Sequence, residues 1–135
     1  MNIYAVVILS ALLIEFILSR TADMLNIRHI KHELPNEFQG YYDQDRYQTS
    51  QEYTREKSRF GQIIETMDLF ILLGFWFSGG FNWLDSILRQ LSLPTILTGI
   101  LFIAVLGAAK FIIDLPFSIY STFVIEEKYG FNKTT

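Results

Sequence analysis

Three long apolar runs, with most of the charge set apart between the first two, constrain this chain more than any single motif. Ile3 to Ser19, Ile63 to Leu84 and Thr95 to Ile113 are each almost unbroken in apolar residues. Each reaches the roughly 17–25 residues a helix needs to cross the hydrocarbon core of a bilayer. Half of the chain is apolar, and the polar stretch from Arg20 to Gln62 is too small to cover three such helices in water. An all-α integral membrane fold is therefore expected, in preference to a soluble helical protein, which extraction into buffer without detergent would favour instead. Three transmembrane helices are expected, about 3–19, 63–84 and 95–113, in one membrane domain over 1–135, with a polar, partly helical loop between the first and second.

The first run has no Lys or Arg ahead of it and no small-x-small site after it, so it reads as a span and not as a signal peptide. Within the loop, Pro35 and Gly40 break regular structure. Thr49-Ser-Gln-Glu52 has capping-box spacing, which predicts a helix start there. Basic residues set the expected orientation. Seven Lys and Arg lie between Arg20 and Arg59, only Arg89 follows the second run, and Lys128 and Lys133 follow the third. The first loop and the C-terminus are thus expected on the cytoplasmic side, with the N-terminus outside. The net charge of −3 is formed from interleaved acids and bases, and no basic stripe suited to nucleic acid is visible. With no cysteine, disulfides, thiolate metal sites and a thiol nucleophile are all excluded.

Past Pro116 the third run continues at helical spacing through Phe117, Tyr120, Phe123 and Val124, and Gly130 with Phe131 has the form of a left-handed helix cap. Glu126 and Glu127 lie in the last turn, where the helix dipole disfavours acids. Leu115-Pro-x-Ser-x-Tyr-x-Thr-Phe-Val-Ile-Glu-Glu-Lys-x-Gly-Phe-Asn132 resembles the signature of the N-terminal membrane region of the CAAX prenyl protease 1 family, integral-membrane zinc metalloendopeptidases. Fainter similarity extends upstream through Tyr53-x-x-x-Lys57-Ser58-x-Phe60 and the Glu-containing first helix ending in Arg20.

The resemblance implies seven spanning helices around an intramembrane chamber, a zinc site, and peptide or membrane-protein substrates; a bacterial inner membrane is the expected location. It implies a structural or chamber-lining role for Pro116, Phe123, Glu126, Glu127, Lys128, Gly130, Phe131 and Asn132. The rest of the protease would then be a partner, supplying the metal and catalytic groups, and this chain alone would be inert. The alternative is a stand-alone three-helix membrane protein that binds or assembles without catalysis. Asn132-Lys-Thr-Thr135 reads as a connector toward a further helix, which favours the first.

The family's metal chemistry uses a His-Glu-x-x-His helix. Here the two histidines read His29-Ile-Lys-His32-Glu33-Leu-Pro35-Asn36, with Asn36 where the second ligand would fall and Pro35 breaking the helix. No metal site, cofactor or catalytic residue is expected in this chain. Among intramembrane polar groups, Glu15 either faces a bundle interior or pairs with Arg20, Lys110 and Asp114 are expected to pair at i, i+4, and Glu65 and Asp68 lie at the entry of the second span.

Overall fold

A computed structural model describes residues 2–30 and 43–132, and among these it is helical throughout, without strands. The helices are α1 (Ile3–His29), α2 (Gln44–Phe77), α3 (Gly80–Gln90) and α4 (Thr95–Tyr120), followed by a π-helical turn, Ser121–Glu126. Three helical stretches, Ile3–His29, Gln44–Phe77 and Thr95–Glu126, are long and apolar enough to cross a membrane. Among the described residues only Leu84, Leu88 and Ile125 are buried hydrophobics, while large apolar side chains such as Ile3, Phe70, Ile96 and Ile103 are more than two-thirds exposed. So much uncovered apolar surface calls for a lipid solvent and not water. Two compact units are present: Met1–Thr66 with Ser121–Thr135, and Met67–Tyr120.

In the first unit, α1 opens with Asn2 as N-cap, its side chain accepting from the Ala5 amide at 2.8 Å. Ala5, Leu9, Leu12, Phe16, Ser19, Asp23 and Ile27 are half-buried at spacings of three and four, which marks the face the helix turns toward its own chain. Ser19 Oγ donates to the Glu65 carboxylate at 3.4 Å, and Arg20 Nη1 donates to the Gln62 carbonyl at 3.0 Å. Arg20 thus turns to α2 and not to Glu15, which is exposed and has no hydrogen bond or ion pair among the described residues.

α2 starts earlier than the capping-box spacing predicts. Asp43 accepts from the Asp45 amide at 3.1 Å, and Thr49 lies inside the helix with its hydroxyl returned to the Asp45 carbonyl at 2.8 Å. The Asp43 side chain satisfies a free amide nearly two turns upstream of Thr49, so the later cap is not needed.

In the second unit, the expected span to Leu84 instead ends at Phe77. Gly79 adopts φ 78°, which a side chain disfavours. A Cβ on Gly80 would lie 2.4 Å from the Phe75 ring. Each glycine therefore has its own task, one reversing the chain and the other admitting an aromatic ring. Phe81 then meets Phe75 and Trp76 edge-on, at centroid distances of 4.9 and 5.9 Å. The stretch Asp85 to Ser92 is mostly the helix α3, which packs against α4. Leu84, Leu88 and Thr98 are buried there. Ser92 at φ 52° closes α3, and the Pro94 carbonyl accepts from the Thr98 amide at 3.0 Å as α4 begins.

Candidate functional site

The signature segment is positioned by two irregularities in its own backbone. Pro116 lies inside α4, where it cannot supply an amide to the preceding turn. Beyond it, Ser121–Glu126 winds as a wider π-helical turn, a form that often accompanies functional sites. The helix closes on Gly130 at φ 72°. The Gly130 amide donates to the Glu127 carbonyl at 3.0 Å and the Phe131 amide to the Glu126 carbonyl at 2.8 Å, the paired bonds of a Schellman cap. The cap anticipated from the sequence is present. The Phe131 ring, though, lies on Tyr53 of α2, with centroids 4.6 Å apart.

Between this segment and α2 the charges cross over. Lys57 Nζ donates to Glu126 Oε1 at 3.0 Å and to the Tyr53 hydroxyl at 2.7 Å. The Tyr53 hydroxyl donates to Glu126 Oε1 at 3.4 Å. One residue along α2, Glu56 Oε2 accepts from Lys128 Nζ and from the Tyr129 hydroxyl, each at 2.6 Å. Each partner thus contributes one acid and one base. The rings of Tyr53 and Tyr129 meet edge-on at 5.8 Å between them, and Lys57 and Lys128 lie 5.1 Å from the Tyr53 and Tyr129 ring centroids. Charge-assisted hydrogen bonds of this kind exceed neutral ones in strength. The Glu56 hydrogen bond raises the pKa of Lys128 above its ordinary value. The separate hydrogen bond that the Tyr129 hydroxyl donates to Glu56, aided by burial, raises that of Tyr129.

The two adjacent glutamates therefore differ. Glu126 is half-buried and bonded, whereas Glu127 is exposed and has no partner among the described residues. Phe123 is 52% exposed, while Ile125, beside Glu126, is the one fully buried large side chain described. Of the partners, Tyr53 and Lys57 carried a signal in the sequence, because they belong to the fainter upstream similarity. Glu56 and Tyr129 carried none.

The polar residues of the spans resolve separately. Lys110 pairs with Asp114, as the i, i+4 spacing predicts, and also with Asp68 of α2, 2.9 Å from its Nζ. Asp68 is thereby assigned a partner the sequence did not identify.

Among the described residues no three His, Cys, Asp or Glu side chains come together to hold a metal ion. His29 Nδ1 lies 2.7 Å from the Leu25 carbonyl. His32, Glu33, Pro35 and Asn36 lie outside the described residues.

Comparison with known proteins gives a consistent family. The family described as "CAAX prenyl protease N-terminal, five membrane helices" matches residues 23–135. The probable CAAX prenyl protease 1 of Schizosaccharomyces pombe is 38% identical over 108 residues, covering 70% of this chain and 23% of its own length. The CAAX prenyl protease 1 homolog of Arabidopsis thaliana is 31% identical over 132 residues, 92% of this chain and 31% of its own. The crystal structure of S. mikatae Ste24p matches with a TM-score of 0.82 at 23% identity, over 96% of this chain and 32% of that one; at that identity the likeness is one of fold. The chain spans less than a third of the length of each of these three proteins.

Proposed function

The chain belongs to the CAAX prenyl protease N-terminal family, and from that premise we propose that it forms part of the chamber wall and substrate-facing surface of a membrane zinc endopeptidase. The substrates in this proposal are prenylated C-terminal motifs or membrane proteins. In this proposal zinc, its ligands and the catalytic base come from residues outside this chain, because its two histidines, His29 and His32, form no His-Glu-x-x-His motif.

The observation that carries the proposal is the reciprocal lock of Glu126 and Lys128 on Lys57 and Glu56. It commits most of the signature's charge to holding the segment in place, which is the work of a wall and not of a catalyst. The first loop and the C-terminus lie on the cytoplasmic side in this proposal, supported by the excess of Lys and Arg there.

The test compares two membrane preparations, one holding residues 1–135 alone and one holding a full-length protein that contains them. Zinc content and cleavage of a prenylated peptide are measured in both. Both properties are expected only in the full-length protein. Cleavage or stoichiometric zinc in 1–135 alone would overturn the assignment. Folded full-length protein with neither zinc nor cleavage would favour a binding role.

A further inference from the structure

We infer that α3 is an interfacial helix, lying along the membrane surface with the flank formed by Trp83 and Ile87 set into the lipid. This goes beyond the proteolytic proposal and does not depend on it.

With 11 residues, α3 is about 16 Å long, half of the roughly 30 Å hydrocarbon thickness. It cannot cross. Yet it follows the apolar end of α2 after only Ser78 and Gly79, and α4 begins again at Thr95. It is therefore held where the hydrocarbon-crossing helices stop.

Its surface suits that place. On a helical wheel, Trp83, Ile87, Leu91, Leu84, Leu88 and Phe81 form one continuous apolar arc, and Asn82, Asp85, Ser86 and Arg89 form the opposite one. α4 covers only part of the apolar arc. Leu84 and Leu88 are each 7% exposed, whereas Trp83 is 63%, Ile87 39% and Leu91 55% exposed. Those three recur at i, i+4 and i+8 and make one uncovered stripe, led by an indole, the side chain enriched at membrane–water boundaries.

Lipid is favoured as the occupant because the stripe continues directly from two helices whose apolar surfaces already require it. The polar arc is internally neutralised, Arg89 Nε donating to Asp85 Oδ2 at 2.7 Å. Zwitterionic headgroups therefore suffice, without electrostatic help from anionic lipid.

The test places a benzophenone amino acid singly at positions 83, 87, 82 and 86 of the full-length protein in its native membrane. After irradiation, the adducts are identified by mass spectrometry. Lipid adducts at 83 and 87 severalfold above those at 82 and 86 are expected. Polypeptide adducts at 83 and 87 would mean that another protein segment covers the stripe. Yields equal at all four positions would mean that water does. Either result overturns the inference. If the bulky probe disturbs folding, a nitroxide on Ile87→Cys in purified protein in bilayers gives the same decision. Oxygen should relax it severalfold more effectively than a water-soluble nickel chelate, and the reverse order overturns the inference.

Discussion

Exchanging the charges of Lys57 and Glu126 is the sharpest test of the lock between α2 and the signature segment. The two are 3.0 Å apart, with side chains 48% and 26% exposed. At this distance Coulomb's law gives about 1.4 kcal/mol in water and about four times that at an effective dielectric of about 20. Screening at the more exposed lysine and the entropy of fixing two long side chains reduce the net coupling to about 0.5–1 kcal/mol. Either single reversal, Lys57→Glu or Glu126→Lys, replaces that attraction with a comparable repulsion and is expected to cost about 1–2 kcal/mol.

The double variant should recover most of this loss, though not the hydrogen bonds to the Tyr53 hydroxyl. Reversible unfolding in mixed detergent micelles, followed through the midpoint for wild type, both singles and the double, yields the coupling directly. Glu127→Lys serves as the control and should stay within about 0.5 kcal/mol of wild type, because that carboxylate is exposed and has no partner among the described residues. A double variant as unstable as the sum of the two singles, to within about 0.3 kcal/mol, would refute the lock.

Three further outcomes are expected. Gly80→Ala sets a Cβ 2.4 Å from the Phe75 ring and should lower stability by about 1–3 kcal/mol; the same unfolding assay checks it, and Phe75→Leu in the same chain should relieve most of the loss. Lys110→Leu strands Asp68 and Asp114 in an apolar setting and should cost about 2–4 kcal/mol, whereas Lys110→Arg should lose much less, as measured by the yield of folded protein from membranes. With pH, Lys128 and Tyr129 have folded-state pKa values raised above 10.5 and 10.0, so the stability they contribute is complete below those values and is lost as pH rises through the folded ones. The stability difference between wild type and Lys128→Met should therefore stay flat through neutral pH and shrink above about pH 10.

The membrane character was legible because apolar runs long enough to span are a composition signal that needs no tertiary context. The helix end at Gly130 was legible for a related reason, since a left-handed cap is a local backbone requirement. The break at Phe77 was harder to read. Gly79-Gly80 announces flexibility, but only the Phe75 ring, set against the second glycine, turns that freedom into the end of one helix and the start of another. Thr49-Ser-Gln-Glu52 misled because a capping box and an ordinary helix interior share the same spacing, and Asp43 nearly two turns upstream satisfied the free amide first. Arg20 had a plausible partner in Glu15 by sequence distance, but the Gln62 carbonyl of α2 receives its guanidinium. The division of labour between Glu126 and Glu127 was not legible at all, because it depends on which way the chain faces after the π-helical turn.

That turn decides what the loss of one residue does to the signature segment. An α-helix advances about 100° per residue, and the Ser121–Glu126 turn holds one residue more than an α-helical turn would. Removing a single residue there would restore a regular helix through about the same total angle, because the wide turn had absorbed the extra residue. Glu126 and Lys128 would then keep Lys57 and Glu56 as partners. The wide turn works like slack in a rope, taking up one residue without turning what lies beyond it.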